Sequence, residues 1–116
     1  MGNADELALV GKALKSGLGG CVEWDPIEAD RVRGEIHNFD LSPEGIKADV
    51  IEYVRNGGRV YQVKESRQNR AHREFYYKVI LPMPDLFKKG LFVELELVDA
   101  DADLPEVILV NAHEQK

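Results

Sequence analysis

Apolar positions recur at helical spacing through the first half of the chain and at a spacing of two through the second. Leu7, Val10, Leu14 and Leu18 fall on one helix stripe, behind the capping pair Asn3 and Glu6 and ahead of Gly17, Gly19 and Gly20. Asp25-Pro26-Ile27-Glu28 combines a side-chain acceptor at the N-cap, Pro at the first helical position and an acid in the first turn, and predicts a short helix to about Gly34. Ser42-Pro43-Glu44 repeats that chemistry before an apolar stripe of Ile46, Val50, Tyr53 and Val54 that stops at Asn56-Gly57-Gly58. Between the first two helices, Cys21-Val22-Glu23-Trp24 reads equally as a brief strand or as an apolar lead-in.

From Arg59 onward the pattern alternates. Val60-Tyr61-Gln62-Val63 opens a strand, and Phe75, Tyr77, Val79 and Leu81 alternate with Tyr76, Lys78 and Ile80. Leu91, Val93, Leu95 and Leu97 alternate with Phe92, Glu94, Glu96 and Val98, and Val107-Ile108-Leu109-Val110 forms a more continuously apolar fourth strand. The joins at 66–72, 82–90 and 99–105 are polar or proline-bearing, with no helix between strands. The predicted architecture is therefore α+β: N-terminal helices on one face of a roughly four-stranded antiparallel meander. It forms one domain over residues 1–116, helical over about 3–57 and β over about 59–111.

Composition agrees with a folded domain: 44% of residues are hydrophobic and 31% charged. The N-terminus has neither a basic leader nor a long apolar run, so a cytoplasmic, non-membrane protein is expected. A single cysteine, Cys21, excludes an internal disulfide and reads as a small buried apolar residue.

Charge changes the picture more. The net charge of −6 excludes a protein that grips nucleic acid with its whole surface. Yet residues 55–78 carry seven basic and two acidic side chains between strongly acidic flanks. Arg67, Arg70 and Lys78, with Tyr76 as a stacking surface, are the candidate nucleic-acid-binding residues, while Arg55, Arg59 and Lys64 extend the island. The same residues also read as a solvated hairpin. His72 and His113 are candidate proton-transfer groups, with Arg73 to stabilise charge on a phosphate. The three histidines show no metal-ligand spacing, and no glycine-rich phosphate cradle occurs, so no cofactor or metal is expected. The run 99–103 starts like a calcium loop but lacks the required glycine and the closing glutamate, and reads as an acidic turn. Glu94 and Glu96 share one strand face, which is the spacing of a water-facing edge.

The order of helices followed by a meander, with basic residues on the first two strands and a histidine near the C-terminus, resembles the RelE-like superfamily of toxin–antitoxin ribonucleases. Trp24-Asp25-Pro26, then His37-Asn38-Phe39, then the helix from Ser42 resembles its BrnT-like branch over about residues 22–113. The resemblance implies endonucleolytic cleavage of RNA without a metal, with Arg70, Arg73 and Lys78 holding phosphate and His72 or His113 moving protons. It also implies a cognate antitoxin as partner. Two other readings stand beside it. One is a non-enzymatic acidic module, antitoxin-like or immunity-like, that binds a basic protein; the other is a homodimer built through a helix stripe or an open sheet edge.

Overall fold

The computed structural model describes residues 3–16, 21–68 and 73–116. Leu18, the glycines at 17, 19 and 20, and the site candidates Arg70 and His72 lie outside the described residues. In chain order the elements are α1 (Asn3–Ser16), β1 (Val22–Trp24), α2 (Pro26–Ile36) with a single 3-10 turn (His37–Phe39), α3 (Pro43–Arg55), β2 (Tyr61–Lys64), β3 (Phe75–Met83), β4 (Phe87–Asp99) and β5 (Glu106–Glu114). The strands form one sheet in the order β1-β5-β4-β3-β2. No described helix is long and apolar enough to cross a membrane.

The helix starts follow their cap chemistry. Asp25 is extended and its carboxylate accepts from the Ile27 and Glu28 N–H groups, and the Ser42 hydroxyl accepts from Gly45 N–H. Gly57, with φ of 96°, follows the Asn56 cap of α3 in the left-handed conformation that ends so many helices. Arg55 reaches across to α1, donating to the carbonyls of Lys15 and Ser16 at 2.8 and 3.0 Å, so one member of the basic island closes a helix C-terminus.

β2 to β5 run as the expected antiparallel meander. The expectation of four purely antiparallel strands is corrected by β1, which lies parallel to β5 with Val22 opposite Val107 and Trp24 opposite Leu109. Three residues are too few to show a period of two. β1 is fixed instead by long-range bonds: Val107 N–H to Cys21 O, Asp25 N–H to Leu109 O, and the Trp24 indole N–H to Pro43 O. β3 and β4 also run closer together than their proline-bearing join suggests. The turn closes with Leu86 N–H on Met83 O, and Met83 pairs with Phe87. Gly90 has φ of 89°, and a Cβ there would stand 2.6 Å from the Leu81 carbonyl oxygen.

All three helices pack on one face of the sheet. Val10, Ala13 and Leu14 of α1, Val32 and Ile36 of α2, and Ile46, Val50 and Val54 of α3 meet Tyr77, Val79, Leu81, Leu91, Val93, Leu95 and Leu109 in one core, with Cys21 at its margin. Each of the valines, leucines and isoleucines removed from water here contributes about 1.5–3 kcal/mol. Tyr77 is buried here, its hydroxyl accepting from Gln62 at 3.2 Å, and burial raises its pKa. Because strand side chains alternate, Tyr76, Lys78, Ile80, Phe92, Glu94 and Glu96 project from the opposite face, which no described helix covers.

Candidate nucleic-acid interface on the open sheet face

Cross-strand pairing sets out the open face in rows. Tyr61 on β2, Lys78 on β3 and Glu94 on β4 are successive partners, and Ile80, Phe92 and His113 form the next row across β3, β4 and β5. At the β2 end, Tyr61 keeps 38% of its surface exposed. The Arg59 guanidinium lies 4.8 Å from its ring centroid and the Lys78 ammonium 5.6 Å, so two cations flank one aromatic plane. Among the described residues neither cation is ion-paired.

Over the middle strands the charge is internally compensated. Glu94 and Glu96 are 3% and 8% exposed, which corrects the expectation that their spacing marks a water-facing edge. The residues flanking 69–72 bring Arg67 and Arg73 over the open face, and these arginines bury the carboxylates. Arg67 holds Glu65 through two bonds of 2.9 Å and Glu94 through bonds of 3.2 and 2.7 Å, both in fork geometry. Its guanidinium also lies 4.7 Å from the centroid of the Tyr76 ring. Arg73 places Nη1 2.6 Å from Glu96 and Nη2 3.5 Å from Glu65. Hydrogen bonds from Arg67, then the charges of Arg67 and Arg73, hold the Glu65 carboxyl below the ordinary carboxylate range against the opposing effect of burial. The same bonds to Glu94 and Glu65 raise the Arg67 pKa.

His113 occupies the far end of the face near the end of β5, stacked on Phe92 with ring centroids 4.6 Å apart and planes 18° apart. Its Nδ1 lies 2.9 Å from the Glu114 carbonyl oxygen. A carbonyl only accepts, so in the neutral ring this contact favours the tautomer with the proton on Nδ1 and Nε2 as the acceptor. Below His113, Phe39 and Phe87 pack edge to face at 5.0 Å and line a small cavity of about 110 Å³ with Ile36, Leu91 and Ala112.

The structure thus brings Arg67, Tyr76 and Lys78 onto one face and puts His113 on that face two strands from Lys78. Arg73 sits on it too, with its guanidinium buried against Glu96. Sequence reasoning passed over Glu65, Glu94 and Glu96 as arginine anchors, and over the stacking residues Tyr61 and Phe92. The signal for the anchors was the pair of acids interrupting the apolar run of β4 opposite an arginine-rich join. The acidic 99–103 turn folds on its own side chains, with Asp99 accepting from Asp101 N–H and Asp101 from Asp103 and Leu104 N–H. No known protein family, curated protein or solved structure matches the chain.

Proposed function

We propose that the chain binds single-stranded RNA across the open face of its sheet and, as the RelE-like resemblance implies, cleaves it without a metal. The observation that carries this reading is Tyr61, a part-exposed ring on an uncovered antiparallel face with the Arg59 guanidinium 4.8 Å and the Lys78 ammonium 5.6 Å from its centroid. Single-strand binding joins aromatic planes that stack bases to cations that follow the backbone, and this corner supplies both. A confined cationic corner also reconciles binding with a net charge of −6: the acidic flanks of the sequence repel the strand and the corner attracts it.

His113 is the proton-transfer group in this reading. Its Nε2 accepts the 2′-hydroxyl proton as the 2′-oxygen attacks phosphorus, and the departing 5′-oxygen takes a proton from water. Neighbouring strands lie about 4.8 Å apart and residues about 3.3 Å along each strand, so His113 and Lys78, two strands and two residues removed, stand roughly 12 Å from each other. They serve different groups of the strand, Lys78 in binding and His113 in chemistry. Arg73, committed to Glu96, shapes the face.

The test is a fluorescence-anisotropy titration of a short labelled single-stranded RNA, with a gel assay of its integrity. Tyr61→Ala with Lys78→Ala is expected to weaken binding about 10- to 100-fold, from the loss of one stacked base and one phosphate contact. His113→Ala is expected to retain binding and lose cleavage. Wild-type protein that leaves the RNA unbound at low salt refutes the reading.

A further inference from the structure

Arg67 differs from the other cations of the open face in having its hydrogen-bonding capacity spent. Four of the five N–H donors of its guanidinium are committed, two to Glu65 and two to Glu94. Both carboxylates are nearly excluded from solvent, with side chains 1% and 4% exposed. The two negative charges that face it cancel its attraction for a phosphate. The centre of the guanidinium lies over the Tyr76 ring, 4.7 Å from its centroid. The Arg67 side chain nevertheless remains 40% exposed. With its edges bonded to carboxylates and the tyrosine ring on one side, the flat side away from Tyr76 is the guanidinium surface left for a ligand.

We propose that Arg67 is a base-stacking plate, held flat by Glu65 and Glu94 on top of Tyr76, and that its ligand is an unpaired nucleobase, not a phosphate. This rests on the RNA reading above and names what the middle of the face recognises there. A guanidinium stacks on an aromatic heterocycle through its planar, weakly hydrated surface. Most of that interaction's ordering cost is met in advance here, because four hydrogen bonds already fix the side chain. Glu65 and Glu94 are positioning residues: they orient the plate without touching the ligand. The base on Arg67 and a base on Tyr61 would occupy adjacent positions of one strand, since Tyr76 and Lys78 are neighbours on the same face of β3 and Lys78 pairs with Tyr61.

The experiment compares the intact protein and Arg67→Lys in anisotropy titrations against two single-stranded RNAs of equal length and charge, one complete and one with abasic sites at its central positions. Lysine keeps the charge and loses the plane. Stacking on such a surface is worth about 1–3 kcal/mol per base, so the wild-type protein should bind the complete RNA about 5- to 150-fold more tightly than the abasic one. Arg67→Lys should narrow that ratio by at least about fivefold and leave affinity for the abasic RNA nearly unchanged. A wild-type protein that binds both RNAs equally overturns the stacking plate while the RNA reading survives. A substitution that weakens binding to both RNAs by the same factor, with the protein still folded by circular dichroism, assigns Arg67 to the backbone and overturns it as well. Absence of binding to either RNA refutes the RNA reading itself.

Discussion

Glu65 offers the most direct perturbation of the charge cluster, because it touches both arginines. Glu65→Gln keeps the shape of the side chain and removes its charge. In the native protein the carboxylate takes two bonds of 2.9 Å from Arg67 and lies 3.5 Å from Arg73, with a side chain only 1% exposed. A charge-assisted hydrogen bond contributes about 1.5–3 kcal/mol and a neutral one about 0.5–1.5 kcal/mol, so the two bonds lose about 2 kcal/mol together. The new amide N–H group, facing guanidinium donors, raises the cost to about 2–3 kcal/mol. At about 2.1 cal/mol/K of unfolding entropy per residue, a chain of 116 residues should melt about 8–12 °C lower. The sign of the pH dependence follows from the lowered Glu65 pKa. A depressed carboxylate contributes its stability fully above its ordinary value of 4.5, and that contribution disappears as pH falls through the lowered folded value. Thermal melts of both proteins between pH 7 and pH 3 should therefore show a gap that is widest at neutral pH and closes below about 4.5. Equal stability at pH 7, or a gap independent of pH, would refute the argument.

Two further substitutions test the supports of the face. Asp25→Ala removes the acceptor for Ile27 and Glu28 N–H and should cost about 1 kcal/mol, read as a lower melting temperature with the fold retained. Gly90→Ala forces a Cβ towards the Leu81 carbonyl at φ of 89° and should cost about 1–3 kcal/mol, seen as a lower urea midpoint with an unchanged slope.

The helices were readable because their ends are written in local chemistry: Asp25-Pro26 and Ser42-Pro43 cap α2 and α3 in the structure as they do on paper. The meander was readable from the alternation of β3 and β4, whose odd-numbered residues line the core. β1 stayed undecided between a brief strand and an apolar lead-in, because the pairing that settles it joins Val22–Trp24 to Val107–Leu109, more than eighty positions away, and leaves no local trace. The fate of the basic island was not readable either. Arg55, Arg59, Arg67 and Arg73 look alike in sequence, yet one caps α1, one flanks Tyr61 and two neutralise buried glutamates. That division depends on which acids the strand register brings beneath them. The Val110 bulge shows the same dependence: Glu94 pairs with Asn111 and Leu95 with Leu109, and Arg31 of α2 donates to the Val110 carbonyl left between.

The central claim is that RNA lies on the open face of the sheet, and amide chemical-shift mapping of the ¹⁵N-labelled protein during titration with a short single-stranded RNA tests it most directly. The account predicts that the largest shifts fall at Tyr61, Arg67, Tyr76, Lys78, Phe92 and His113, with α1 and α3 unmoved. Shifts concentrated on the helices, or no shifts at low salt, would contradict it.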